Sequence, residues 1–236
     1  MTASIVGKPI RVMSGLALEV AVNRWIKPSF EASSGAVLEF DWRPTAALMR
    51  DIASGARADM IIAISDSMVK LVGDGLVRPE TRRVLADSVL GIGVKAGAAK
   101  PDITTVDAFK SAVVAASAVA YSQAGASGIY FAGLIERLGI AKDVNARAVV
   151  IPMGFTAEKV ASGEAELAVQ QISELMSVPG IDVVGPFPAE IQVSSTFEVA
   201  VFRDAVNPDG AHAFLEMLTS TEAGEAYQRG GLESRL

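Results

Sequence analysis

The chain has 236 residues, with 21 Lys and Arg against 27 Asp and Glu, a net charge of −6, no cysteine, and half of its residues hydrophobic. At about one and a half times the usual domain length of ~150 residues, it has room for one large domain or two small ones, each with its own core. This composition excludes a disordered or fibrous chain, the lack of a dense basic run removes the electrostatic footprint of a nucleic-acid partner, and the absence of cysteine removes disulfides, thiolate nucleophiles and thiolate metal sites.

No stretch reaches the ~18 uninterrupted apolar residues of a membrane span. The alanine- and valine-rich run at 112–120 is broken by Ser117 and stops at Tyr121, so no membrane insertion is expected. The first ten residues carry one lysine and Pro9 and no apolar core of an export signal, which places the protein in the periplasm if a signal has been removed and in the cytoplasm otherwise.

Short β-rich runs alternate with helical ones, the pattern of an α/β protein with parallel or mixed sheets. Residues 10–13 read as a strand, followed through Ser14-Gly15 by a helix over 16–30. A second strand at 37–42 leads through Pro44 to Thr45, a hydroxyl placed to cap a helix that Gly55 stops. Residues 58–64 form a nearly continuous apolar run, as in a strand covered on both faces, and Ser65-Asp66 open the next helix. A glycine-flanked strand at 89–94 is followed by a loop at 96–101. Helices at 107–116 and 129–138 then enclose a strand at 119–122 and a small-residue loop at 123–128. Further strands are expected at 148–152, 166–170, 183–187 and 196–202, with helices at 156–162 and 173–177. The segment 208–218 sets Ala211, Phe214, Leu215 and Leu218 at i, i+3, i+4 and i+7, an amphipathic helix, and a short helix from Thr221 closes the chain. With no low-complexity linker in view, a two-domain chain must cross between its halves twice, near Gly91 and near Phe197.

Several strands thus run into a loop of small or hydroxyl residues that opens a helix: Ser14-Gly15, Pro44-Thr45, Ser65-Asp66, Gly125 to Gly128, and Gly154-Phe155-Thr156. Each helix start exposes unpaired N–H groups and the positive end of the macrodipole, so a set converging on one place binds an anion without lysine or arginine. The 125–128 loop brackets Ser127 with glycines, which allows close backbone approach to a ligand, and it matches neither a dinucleotide fingerprint nor a P-loop.

Three motifs carry a resemblance. Ala126-Ser127-Gly128-Ile129-Tyr130 followed by Leu138-Gly139, Ile52-Ala53-Ser54-Gly55 followed by Ala58-Asp59-Met60-Ile61-Ile62, and Ser162-Gly163-Glu164-Ala165-Glu166-Leu167 together resemble the molybdate-type solute-binding proteins of bacterial ABC importers. The resemblance extends from Ile10 to about Gly231. It implies a type 2 periplasmic-binding-protein-like α/β fold: two domains, expected at 1–87 plus 196–236 and at 88–195, joined by a two-stranded hinge. A small anion would sit in the cleft, with no cofactor and no metal, in a monomer whose implied macromolecular partner is an ABC permease.

Carried over position by position, the family's first ligand serine falls at Ala17, with Ser14 and Gly15 still in that loop, and its second falls near Thr45. The third and fourth loops contribute Ser127 with Gly128 and Gly154 with Phe155, and the family's tyrosine aligns with Gln171. An amide in place of that hydroxyl points to a ligand other than a tetrahedral oxyanion. Arg43, beside Thr45, is a candidate to grip a carboxylate, against the alternative of an ordinary surface arginine. The lone His212 lies far in sequence from these loops and reads as structural. The expected function is therefore the binding of a small anion, preferably a carboxylate. The alternative is an enzyme on the same scaffold, since aconitate isomerase is similar to this family; its base would be Glu174 or Glu198, with Glu158 or a polarised serine behind them.

Overall fold

The computed structural model describes residues 8–236. In chain order the first elements are β1 (Ile10–Ser14), a helical run made of a 3-10 turn (Leu16–Leu18), α1 (Glu19–Ala21), a π turn (Val22–Ile26) and α2 (Lys27–Ser34), then β2 (Leu38–Trp42), α3 (Thr45–Ala53), β3 (Met60–Ile64) and α4 (Ser65–Gly73). The long strand β4 (Arg83–Lys95) leads to α5 (Val106–Ala115), β5 (Val119–Ser122), α6 (Ala126–Arg137), α7 (Ala141–Asn145), β6 (Val149–Ile151) and α8 (Ala157–Ala161). The chain ends with β7 (Leu167–Gln171), α9 (Ile172–Leu175), β8 (Ile181–Pro186), β9 (Ser194–Val201), α10 (Pro208–Leu218), α11 (Thr221–Arg229) and β10 (Glu233–Ser234).

The chain divides into two compact units, one of Met1–Asp87 with Ser195–Leu236 and one of Ser88–Ser194. In the first, β1 lies between β2 and β3 and is parallel to both, and β9 runs antiparallel to β3. The period-two alternation of strand side chains feeds both faces. Met60 and Ile62 join Ile10, Val12 and Leu38 in a core closed by the 16–34 helical run, α10 and α11. Ile61 and Ala63 join Met13 in a second core under α3 and α4, with Leu48, Ile52, Met68 and Leu71. A strand buried on both faces has no polar side to show, which is why 60–64 is uniformly apolar.

In the second unit β5 is parallel to β6 and β7, while β7 and β8 both run antiparallel to β4. Leu90, Ile92, Val119, Leu167 and Val169 face a core that includes Phe109 and Phe131, and Ala120 and Ala168 face a smaller one with Ala157, Val160 and Leu175. Glycines at 91 and 93 are demanded by crowding rather than by flexibility. A Cβ on Gly91 would stand 2.6 Å from Ile172 and 2.7 Å from the Gly185 carbonyl, and one on Gly93 3.1 Å from both Ile181 and Leu175.

The expected elements differ from the observed ones mainly at their ends. Strand β4 begins at Arg83 rather than 89, and the short α7 falls where no helix was expected. Thr45 and Ser65 are the first residues of α3 and α4, not their caps, since Pro44 and Ile64 hold the cap positions. Helix α6 begins at Ala126, so Ser127 and Gly128 belong to its first turn and not to a loop.

Candidate functional site

In both units, parallel strands deliver helix starts to their C-terminal ends. In the first unit β1 ends at Ser14 and the chain turns into the helical run at Leu16, next to the start of α3. A Cβ built on Gly15 would lie 3.3 Å from the Thr45 hydroxyl and 2.8 Å from the Phe197 ring, so the absence of a side chain at 15 lets these three meet. Ser14 is fully buried, its hydroxyl donates to the Gly15 carbonyl at 3.1 Å and the Gly15 N–H donates to the Ile62 carbonyl at 3.0 Å, so the donors this turn offers are the backbone N–H groups that follow Gly15 rather than the serine. At α3 the Pro44 carbonyl accepts from the Ala47 and Leu48 N–H groups, which leaves the Thr45 and Ala46 N–H groups outside the helical ladder.

At the end of β3, Ser65 donates to Glu198 Oε1 at 2.6 Å, and Arg82 binds both oxygens of the same carboxylate, through Nη2 at 2.9 Å and through Nε. Burial pushes the Glu198 carboxyl up, but hydrogen bonds from Arg82 and Ser65, with the Arg82 charge, outweigh it and hold the group below the usual carboxylate range. Glu198, expected as a candidate base, is instead an ionised structural partner: a carboxylate held this way is a weak proton acceptor. The signal that sequence reasoning missed is Arg82, 116 positions away in the chain.

Arg43, the candidate grip for a carboxylate, is engaged within the protein. Its guanidinium is paired with Asp41, through Nε at 2.8 Å and through Nη2, and with Asp51 through Nη1. These hydrogen bonds and charges raise its pKa further. Its backbone N–H donates to the Ser14 carbonyl at 3.1 Å, and the residue lines a cavity with Arg11, Asp41 and the 56–58 segment that enters β3. Its positive charge is already matched by two carboxylates, so Arg43→Ala is expected to leave the affinity for a small carboxylate within about twofold, whereas loss of a charged hydrogen bond to ligand would weaken it by ~1.5–3 kcal/mol. Calorimetric titration of the variant distinguishes the two, and a tenfold or larger loss would return Arg43 to the site.

In the second unit Ser127 and Gly128 open α6 at the end of β5, and Gly125 holds the cap position without a side-chain bond. Gly128 was expected to admit a ligand. It also packs on the chain itself: a Cβ there would fall 1.8 Å from the Ser122 carbonyl oxygen, so the glycine seats the helix on the strand. Gly154, at φ +100°, and half-buried Phe155 follow β6, and they are tied to β7 by Gln170. The Gln170 amide donates to the Gly154 carbonyl at 2.9 Å, and its oxygen accepts from the Thr156 N–H at 2.8 Å and hydroxyl at 3.0 Å. A strand otherwise built of apolar residues ends in two glutamines, a pattern that offered a signal for this tether.

Gln171, the next residue, is 5% exposed, and its Oε1 is buried without a hydrogen-bond partner. Glu174 is buried in the first turn of α9. Glu158 is exposed on α8, and His212 is exposed on α10. Among the described residues no group of His, Cys, Asp and Glu is arranged to hold a metal ion.

The helix starts fall into two kinds. Helices α5, α10 and α11 are capped by the side chains of Thr105, Asn207 and Ser220. Helices α3, α4 and α6, which follow the C-terminal ends of β2, β3 and β5, have no side-chain cap; α3 and α6 also carry no acidic residue in the first turn, so the positive ends of their dipoles stay uncompensated, whereas Asp66 and Glu198 face the start of α4.

Residues 10–233 match the model of a family described as bacterial extracellular solute-binding protein. Aconitate isomerase of a Pseudomonas species is 35% identical over 216 residues, covering 89% of this chain and 82% of that protein. Among solved structures, the periplasmic molybdate-binding protein of Azotobacter vinelandii superposes with a TM-score of 0.76 at 16% identity, over 94% of this chain and 98% of that one. The sulfate-binding protein SubI of Mycobacterium tuberculosis gives 0.74 at 15% identity, over 97% and 88% of the two chains. At such identities the structures establish a common periplasmic-binding-protein-like α/β fold, as the sequence motifs implied. The family match spans every loop described above, and the chain accordingly belongs to the bacterial extracellular solute-binding proteins.

Proposed function

We propose that the protein binds a small carboxylate anion through helix starts at strand ends, the candidate donors being the Gly15 turn and Thr45 in the first unit and Ser127, Gly154 and Gln171 in the second. The observation that carries this reading is the contrast between helix starts: side-chain caps are missing at α3, α4 and α6, which follow parallel strands, and present at α5, α10 and α11, which do not. An uncapped start leaves its first N–H groups to be satisfied by an anion. Arg43 and Arg82 are both held by carboxylates, so recognition falls to these neutral donors. A carboxylate is favoured over a metal oxyanion because Ala17 and Gln171 stand where two ligand hydroxyls would be, and because the 35% identical relative is an aconitate isomerase. As an importer receptor the protein would work in the periplasm and deliver its ligand to an ABC permease.

Thermal unfolding with added anions tests this, since a ligand at a hundred times its dissociation constant adds about 2.7 kcal/mol. At least one di- or tricarboxylate is expected to stabilise the protein more than molybdate, tungstate or sulfate. The reverse order would overturn the proposal.

The relative favours a second reading, isomerisation of the bound tricarboxylate. A base would remove a methylene proton from trans-aconitate, the double bond would shift by one carbon, and the proton would return at the far end to give cis-aconitate, with no other reactant consumed. Glu174, buried in the first turn of α9 beside Gln171 and Ser173, is the carboxyl assigned to this step. Proton NMR of trans-aconitate with the protein in deuterated water would show cis-aconitate carrying deuterium. Stabilisation by trans-aconitate without turnover leaves the receptor reading, and turnover that survives Glu174→Gln removes Glu174 from the role.

A further inference from the structure

Gln170 and Gln171 sit side by side at the end of β7 and are treated very differently by the fold. Every polar atom of the Gln170 amide is engaged: the nitrogen on Gly154, the oxygen on the Thr156 N–H and hydroxyl. The Gln171 oxygen is just as closed to solvent and accepts nothing. A buried acceptor left bare is destabilising, and buried polar groups in folded proteins are rarely left so. Gln171 also holds the cap position of α9 without making a cap bond, so its side chain has no local backbone task. Its oxygen therefore has no hydrogen bond to lose when the carboxamide turns about its side-chain bonds toward a ligand at the strand end. Gln170 would break three bonds in the same movement.

What such a ligand must bring is a donor. Molybdate and sulfate are fully deprotonated at neutral pH and offer only acceptors, and so does a simple carboxylate. A hydroxyl on the carbon skeleton, or a carboxyl that keeps its proton, offers the missing O–H. We propose that Gln171 is a specificity-determining residue whose oxygen accepts a hydrogen bond from an O–H of the bound carboxylate, so that the protein selects anions carrying such a donor over those that carry only acceptors. This rests on the carboxylate-binding reading above and names the class of carboxylate within it.

The test uses pairs of ligands that differ by one hydroxyl, citrate against tricarballylate and malate against succinate, titrated calorimetrically into the full chain at pH 7.5, with molybdate and sulfate alongside. The hydroxylated member of at least one pair is expected to bind about tenfold more tightly, which is ~1.4 kcal/mol. In Gln171→Met the ratio collapses to within about twofold, mainly by loss of the hydroxylated ligand. Gln171→Glu keeps an acceptor and retains the ratio while both affinities fall, so an effect of misfolding in the methionine variant is recognisable. If the donor is a retained carboxyl proton, the deoxy ligands tighten as pH falls from 7.5 to 5.5 in the wild type and not in Gln171→Met. Equal affinities within each pair, with no such pH response, overturn this proposal while the carboxylate reading stands. A ratio untouched by Gln171→Met does the same. Tight molybdate or sulfate binding with no carboxylate bound overturns both.

Discussion

Gly128→Ala is expected to destabilise the protein by about 3 kcal/mol or more, the upper end of what overpacking costs. The added methyl would lie 1.8 Å from the Ser122 carbonyl oxygen, 2.6 Å from its carbon and 2.8 Å from its nitrogen. All three are backbone atoms of β5, so no side chain can rotate away, and either α6 lifts from the strand or the strand bends. Gly133, in the same helix, is the internal control: a methyl there would meet only the Arg137 Nη1 atom at 3.4 Å. Gly133→Ala should therefore be neutral, or stabilising by up to ~1 kcal/mol through helix propensity. Urea unfolding of the two variants measures the contrast, and a similar effect at both positions would sink the packing argument. Because the lifted end of α6 carries Ser127, Gly128→Ala should also weaken anion binding in protein that remains folded.

That glycine shows where reading the sequence succeeds and where it stops. Helix α10 is legible to the residue, because Pro208 sets its start and Ala211, Phe214, Leu215 and Leu218 trace one face. The full burial of 60–63 is legible because a strand covered on both faces has no polar side. Helix α7 is invisible because five residues with Ala141 and Val144 inward are too short for periodicity. The first half of β4 is hidden because Arg83, Asp87 and Ser88 break any apolar run. The special loops could be picked out, but the task of each residue could not. That Gly128 meets a strand, that Ser14 bonds its own neighbour and that Arg43 is neutralised by Asp41 and Asp51 all depend on distances that local spacing does not encode.

The uncapped helix starts also explain how an acidic chain can hold an anion. With a net charge of −6, long-range attraction is absent, and Arg43 and Arg82, near the strand ends of the first unit, are each paired with carboxylates. The favourable field at the site must then come from backbone dipoles, which are short in range and fixed in direction. Such a design distinguishes ligands by where their acceptors and donors lie rather than by total charge, and so a single carboxamide, Gln171, can carry weight in the choice of ligand.

The arginine that holds Glu198 gives the second large effect. Glu198 is 2% exposed on β9, one residue after Phe197, which covers Gly15, and its carboxylate binds Ser65 at the start of α4. Arg82→Met preserves most of the aliphatic stem but leaves a buried carboxylate with one hydroxyl donor. Breaking such a pair by removing one partner is expected to cost about 3 kcal/mol at pH 7, the low end of the usual range because the Arg82 head retains contact with water. The sign with pH follows from the depressed carboxyl. A group whose folded pKa lies below its unfolded value of about 4.3 contributes stability that is fully present above that value and is lost as pH falls through the folded one. The gap between wild type and Arg82→Met should therefore be constant from pH 8 to about pH 6 and narrow below pH ~4.3, as Glu198 in the variant takes up a proton first. Adding Glu198→Gln to Arg82→Met removes the uncompensated charge and should restore more than half of the loss at pH 7. Denaturant unfolding at pH 7 and pH 4 decides the matter: a penalty of equal size at both, unrelieved by the second substitution, would mean that Arg82 acts through packing and that Glu198 is not the anchor that keeps β9 and the start of α4 together.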